Sequence, residues 1–435
     1  MKIHFVGIGG IGLSGLARYM KANGHLISGS DIMDTKLTQS LKKEGISVNV
    51  PHSNEAVTNQ DIVVYTAVAK PDNPELVEAK KKGIKTLSRR EFLPCVVKEK
   101  KVLSVCGAHG KSTTSAILAS ILPSTDAIIG AESKDFGSNM RFEGSEYLVF
   151  EADESDGSFI DSNPYISVVT NTEPEHMEYY DHKLDLFYSH YKEFLKRAKI
   201  RVANGDDEFI KTLDFPVKKV SIKDAKNIRF ELIDSKPKTV FEYKGYDFEV
   251  YGFGEHLVLD ALLAIEAANE LIPMEEIQKN IKNYQGIKKR FDILQKSENF
   301  ILIDDYGHHP TEIKTTLHSA RIFAKLNGID KVTAIWQPHK YSRTIDNLDA
   351  FIECFNEADG LVILPVWEAG EERVDIDFEN LFAKHNPIFA KRLKVNSNVV
   401  MLSDEEGNVF KKIDEGLVIG FGAGDITYQL RGIIN

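Results

Sequence analysis

Short apolar runs alternate with amphipathic stretches along nearly the whole chain. Lys2–Ile8 reads as a buried strand, and a helix-period stretch runs from about Leu13 to Asn23 before Gly24. The unit recurs as strand His25–Gly29, helix Thr35–Glu44, strand Ile46–Val48, strand Asp61–Thr66, helix Pro74–Lys82 and strand Lys85–Leu87. The spacing Ser88-Arg-Arg-Glu91 predicts a capping box at the start of a further helix. Strands that are apolar throughout, separated by helices, predict a parallel sheet covered on both faces, because only such strands are buried on both sides.

The charged run Lys98-Glu-Lys-Lys101 predicts a boundary, after which the alternation resumes. Strands are expected at Lys101–Val105, Glu146–Glu151, Ile166–Thr170 and Arg201–Ala203, with helices at Thr113–Leu122 and Leu184–Arg197. Between about 215 and 253 the pattern changes to polar–apolar alternation, as in Lys238–Tyr243 and Tyr246–Tyr251, which predicts antiparallel strands with one wet face. Helices at Leu257–Glu270 and Met274–Tyr284 close this block. A third block has strands Phe300–Asp304, Lys331–Trp336, Leu361–Pro365 and Leu417–Phe421, with helices from Pro310 to about Ala324 and over Asn347–Ala358. The expected fold class is therefore α/β in three domains, at 1–98, 99–293 and 294–435.

The candidate chemistry sits where strands end, which is where open α/β sheets collect ligands. Gly7-Ile-Gly9-Gly10-Ile11-Gly12 follows the first strand, and Ser30-Asp31 follows the second. Glycines there let a phosphate approach the backbone, and an acid about twenty residues on suits a ribose. Gly107-Ala108-His109-Gly110-Lys111-Ser112-Thr113 stands between a strand and a helix. In a loop of this kind inward N–H groups and the helix start hold phosphates, the lysine reaches the terminal ones, and the serine hydroxyl can ligate Mg²⁺. Glu151-Ala-Asp153-Glu154-Ser-Asp156 offers oxygen ligands for such an ion. Asn171-Thr-Glu173-Pro-Glu175-His176 ends the next strand. In the third block Asp305-Tyr306-Gly-His308-His309 and His339-Lys340-Tyr-Ser-Arg343 lie just past strand ends.

Composition narrows the classes. A net charge of −11 gives no basic footprint for a nucleic-acid polymer. The three cysteines lie far apart at 95, 106 and 354, which suits a reducing, cytoplasmic setting and no metal knuckle. No apolar stretch is long enough to span a bilayer, and the amino-terminal Met-Lys-Ile-His-Phe lacks a secretory core. A glycine fingerprint alone would fit a NAD-dependent oxidoreductase, but a second, phosphate-type loop in the next block argues for two separate nucleotides.

Taken together and in order, these motifs resemble those of the Mur ligases, ATP-dependent amino-acid ligases of peptidoglycan precursor synthesis. The resemblance implies a Rossmann-like first domain, a central P-loop ATPase-like domain with a mixed sheet, and a Rossmann-like third domain. It implies ATP and Mg²⁺ as cofactors, and UDP-N-acetylmuramate and L-alanine as partners in the alanine-adding branch; the nearest alternative is a recycling ligase that joins a tripeptide to the same nucleotide. Lys111, Glu151, His176 and Arg290 take catalytic positions, with Ser112, Glu151 and His176 as metal ligands. Residues 107–113, Asn171, His256, Asp260 and Asp305 correspond to the ATP site. Gly7, Gly9, Gly10, Ile11, Gly12, Ser30 and Asp31 correspond to the UDP site. Tyr306, His308, His339, Lys340 and Arg343 correspond to contacts with the product and amino acid. The chain departs from the family pattern at Ala108 and Ser112, where threonines are usual, at Asp260 for Asn, and at Lys340 for Arg.

Overall fold

The structure is a computed structural model that describes residues 1–433. Its chain divides into two compact units: 1–225 with 243–246 and 259–285, and 226–242 with 247–258 and 286 onwards. The first unit holds two sheets. The amino-terminal sheet is parallel, in the order Ser47–Asn49, Leu26–Ser30, Lys2–Val6, Ile62–Tyr65, Lys85–Ser88. This is the doubly wound arrangement that the alternation predicts. The Ser88 capping box forms as the spacing predicts, opening the helix Arg89–Val97.

The second sheet has seven strands and is parallel apart from one edge. Lys101–Cys106 lies at its centre, between Pro164–Val169 and Tyr147–Glu151. All three strands therefore end on the same side and deliver the phosphate loop, the acidic turn and the Asn171–His176 segment together. The antiparallel edge is the hairpin Asp126–Ser133 and Ser138–Arg141, which the sequence pattern does not announce. This hairpin packs against the helix Ile11–Ala22 of the first sheet: the Tyr19 hydroxyl donates to the buried Asp126 at 2.9 Å, and Arg18 donates to Asn139 at 2.6 Å. Lys218–Val220 joins the parallel sheet, so the antiparallel region is shorter than its composition suggests.

The second unit contains most of the antiparallel sheet Lys226–Ile233, Lys236–Tyr243, Tyr246–Tyr251 and a six-stranded, mainly parallel sheet. In the latter, Phe300–Asp305, Gly416–Phe421 and Val332–Trp336 form the buried centre, and Asp292–Lys296 adds an antiparallel edge. The core around Trp336 is aromatic, with Phe351, Phe355 and Phe382 rings within 4.8–5.4 Å of its centroid. The helix expected over 347–358 is present but shorter, Leu348–Cys354, and a separate short helix, Tyr341–Asp346, precedes it. A three-stranded antiparallel sheet over 392–413 also escapes the sequence reading; its exposed lysines and turns mask the alternation.

Candidate active site

In the first unit the amino-terminal glycine loop is held from below by the end of the second strand. The carbonyl of Ser30 accepts the N–H groups of Gly7 and Ile8 at 2.9 and 3.0 Å. Asp31 accepts the Gly9 N–H at 2.8 Å and its own neighbour Ile32 N–H at 2.8 Å. Asp31 thus braces the loop, and Ser30 is fully buried, with its hydroxyl donating to Glu75. Gly10 and Ile11 lie exposed at the start of the Ile11–Ala22 helix, whose amino terminus has no side-chain cap. Its unpaired N–H groups suit an anion.

The phosphate loop is pinned by its neighbours. Gly107 has φ +136, and a β carbon there would stand 2.2 Å from Thr170 Oγ1. Thr170 Oγ1 and Asn171 Nδ2 donate to the His109 carbonyl at 2.5 and 2.8 Å, and His109 N–H donates to Asn171 Oδ1 at 3.3 Å. Asn171 is therefore a brace of the loop. Gly107→Ala is expected to lower stability by about 3 kcal/mol, because clash and left-handed strain add; a urea midpoint unchanged from the parent chain would count against this packing.

Lys111 begins the helix Lys111–Ile121, two residues before the start the sequence predicts. Its ammonium donates to the carbonyls of Gly107 (2.6 Å) and Ala108 (3.1 Å) and to Glu154 (2.9 Å). Burial pushes the Glu154 carboxyl up to about 7 against the pull of Lys111, while Glu154, Asp153 and Glu151 outweigh burial on Lys111 and keep it protonated. Ser112 Oγ donates to Glu151 at 2.9 Å, and Glu151 also accepts the Gly130 N–H at 2.6 Å. Burial raises the Glu151 carboxyl. Thr113 is half-buried on the first turn. Asp260 is buried behind the loop, accepts from Thr114 Oγ1 at 3.1 Å, and closes on Gly110 so tightly that a β carbon there would sit 2.4 Å from it.

The family resemblance implies Ser112, Glu151 and His176 as metal ligands. Ser112 and Glu151 do meet, whereas His176 clusters with Glu154 and Glu175, one ligand atom of each lying within 4.8 Å of the others. The carboxylates of Glu151, Glu154 and Glu175 are hard oxygen donors of the kind Mg²⁺ takes, so the residues fit that ion. Glu154 and Glu175 were visible only as part of acidic strings; their convergence needed the three strand ends to lie side by side. His109 pairs with Glu173 at 3.1 Å.

In the second unit Asp305 is buried and accepts the N–H groups of Phe291 (2.7 Å) and Gly307 (2.8 Å), so it fixes the 290–291 segment to the end of its strand. Burial pushes its carboxyl up to about 6, against the Arg290 guanidinium. Arg290 donates to Glu312 at 3.0 Å and stacks over the Tyr306 ring at 5.5 Å. Glu312 in turn accepts the N–H groups of His308 and His309 at 3.0 and 3.3 Å, capping the helix Pro310–Leu326. Sequence reasoning did not single out Glu312; its place three residues after His309 was the available signal. His256 is exposed beside Gly254.

Two histidines present opposite polarities. His308 Nδ1 lies 3.1 Å from the Tyr306 carbonyl, which can only accept, so Nδ1 carries the proton and Nε2 the lone pair. His339 Nδ1 lies 3.0 Å from Arg343 Nη1, which can only donate, so Nδ1 accepts and Nε2 carries the proton. The rings are 5.8 Å apart. Burial pushes both imidazoles down to about 4, helped at His339 by Arg343. Lys340 directly follows His339 with φ +68, its N–H held by the Trp367 carbonyl at 2.9 Å.

Those low values have a stability consequence. From about pH 4 to the ordinary 6.5 the unfolded chain binds more protons than the folded one, so these rings make stability rise with pH through that window and complete the gain above it. Both are partly exposed, which brings the combined effect to about 2–3 kcal/mol. Relative to the parent, His308→Gln/His339→Gln is expected to lose that slope in melting temperature between pH 6.5 and 4, and parallel curves would refute it.

Comparison with known proteins matches residues 2–101 to the family description "Mur ligase family, catalytic domain", 105–268 to "Mur ligase middle domain" and 289–406 to "Mur ligase, glutamate ligase domain". The chain belongs to the Mur ligase family. It is 53% identical over 99% of both chains to UDP-N-acetylmuramate–L-alanine ligase of Campylobacter curvus, and 51% identical to the protein of that name from Helicobacter pylori, over 99% of this chain and 96% of the other. The crystal structure of UDP-N-acetylmuramate–alanine ligase from Thermotoga maritima shares 27% identity at TM-score 0.81, covering 100% of this chain and 98% of that one. A murein peptide ligase from Psychrobacter arcticus shares the fold at TM-score 0.65 with 20% identity. No helix among the described residues is long and apolar enough to cross a membrane.

Proposed function

We propose that this chain joins the amine of L-alanine to the carboxylate of UDP-N-acetylmuramate, with cleavage of ATP to ADP and phosphate. The observation that carries the reading is the Lys111–Glu154 pair beside Ser112–Glu151 on one rim of a sheet whose sequence relatives bear that activity in their names. The carboxylate and the γ-phosphate are both anions, so cations must stand between them before an acyl phosphate can form. Lys111 supplies one such cation on exchanging Glu154 for phosphate. Ser112, Glu151, Glu154, Glu175 and His176 are the residues that would hold Mg²⁺, which screens phosphate charge when bound. The glycine loop 7–12 takes the diphosphate of the UDP substrate, with Ser30 and Asp31 keeping its N–H groups in place. Arg290 stabilises charge on the transferring phosphoryl group, and Asp305 sets where Arg290 stands. His256 and Asp260 belong to the adenine side of the ATP site.

The two neutral imidazoles suit the two ends of an amino acid. The lone pair on His308 Nε2 accepts from the amine as it adds to the acyl carbon, and His339 Nε2–H with Arg343 donates to the carboxylate. Tyr306 and Lys340 complete that side. The proposed domain limits remain 1–98, 99–293 and 294–435, and the chain works in the cytoplasm on soluble substrates. The test is ADP release with UDP-N-acetylmuramate and, in turn, L-alanine, glycine, L-serine and a free tripeptide with an unblocked amine. Release with L-alanine in strong preference supports the reading; preference for the tripeptide replaces it with the recycling reaction, and release with none overturns it.

A further inference from the structure

Arg89 is the first residue of the helix Arg89–Val97, and its guanidinium faces two ways within the first unit. Nη1 is 3.2 Å from Asp153 Oδ2 and 3.8 Å from Asp156 Oδ2. The opposite edge lies against the glycine loop: a β carbon on Gly12 would sit 3.4 Å from Nε and 3.6 Å from Nη2. The side chain is 18% exposed, and its recorded polar partners are all reached through Nη1. Asp153 is held ionised because Arg89 and Lys111 outweigh its burial. The next residue, Glu154, is the one that holds Lys111 at 2.9 Å, and its carbonyl accepts both the Tyr180 hydroxyl and the Gly157 N–H. One planar cation therefore touches the start of the Ile11–Ala22 helix and the turn that anchors the phosphate-loop lysine.

We propose that Arg89 couples the two nucleotide pockets, offering its Nε–Nη2 edge to the diphosphate of the UDP substrate while Nη1 holds the Asp153–Asp156 turn. An arginine fork matches two phosphate oxygens, which a lysine cannot do. A diphosphate on that edge immobilises the guanidinium, and through Asp153 it orders the turn that presents Glu154 to Lys111. The second nucleotide then binds to a turn already ordered, and the effect is reciprocal. In this role Arg89 is a ligand contact for one nucleotide and a positioning residue for the other. The proposal rests on the pocket assignments above.

The experiment is equilibrium binding of UDP-N-acetylmuramate and of a non-hydrolysable ATP analogue to the full chain, each alone and with the other saturating. In the parent chain each ligand is expected to tighten the other several-fold. Arg89→Lys is expected to weaken UDP-N-acetylmuramate roughly tenfold, leave the analogue alone within twofold, and abolish the mutual tightening. Asp153→Asn is expected to leave UDP-N-acetylmuramate alone within about twofold and also abolish the tightening, a result that a general loss of structure would not give. Unchanged UDP-N-acetylmuramate affinity in Arg89→Lys, or mutual tightening that survives in both variants, overturns the proposal. A parent chain that binds neither nucleotide overturns the pocket assignments themselves, which separates the two failures.

Discussion

Lys111→Ala is expected to abolish ADP formation, with turnover falling roughly 10³-fold or more. The ammonium is parked on two loop carbonyls and Glu154, at the mouth of a loop braced from behind by Thr170 and Asn171. Its removal takes away the cation that the loop holds at its mouth. The variant is still expected to fold. Glu154 would lose its cation, but its carboxyl already titrates at about 7 and can take up a proton instead of standing charged in the interior. A stability loss of about 1–2 kcal/mol follows, and Lys111→Ala/Glu154→Gln should recover much of it without recovering ADP formation. Steady-state ADP release beside thermal melts separates the two effects; normal turnover by Lys111→Ala would remove the lysine from its assigned role.

The second large effect is expected at Arg290. Arg290→Ala should lower turnover by about 10²–10³ with little change in substrate KM, the pattern for a group that acts on the transition state. Arg290→Lys keeps the charge and loses the fork, so an intermediate loss is expected. Glu312 would not be stranded by either change, because it also accepts the N–H groups of His308 and His309. Kinetics in which KM rises and turnover stays level would place Arg290 in substrate binding instead.

The Asp residues show how motif and role can part. Asp31 occupies the position where a dinucleotide fingerprint has its ribose acid, yet its carboxylate is spent on Gly9 and Ile32 N–H groups. Asp305 likewise spends both oxygens on backbone N–H groups, those of Phe291 and Gly307. In each case the sequence singles out the residue, and its hydrogen-bond partners show which backbone it holds. Short backbone bonds of this kind depend on local chain geometry that residue types do not encode at a distance.

The sequence by itself determined the repeating strand–helix units, both glycine loops, the Ser88 capping box and the family. Those signals are local: periodicity, caps and glycine spacing are set by residues a few positions apart. It also marked the ends of three strands as the place for chemistry. Only the tertiary structure decided that Glu154 and Glu175 join His176, that Glu312 fixes Arg290, that the two histidines carry opposite tautomers, and that Arg89 stands between two loops. These facts depend on contacts between residues far apart in the chain, on which strand lies beside which, and on which atom of a neighbour can only give or only receive a hydrogen bond. The hairpin at 126–141 and the sheet at 392–413 pair between neighbouring segments of the chain, and the latter stayed hidden because exposed lysines and turns break its alternation.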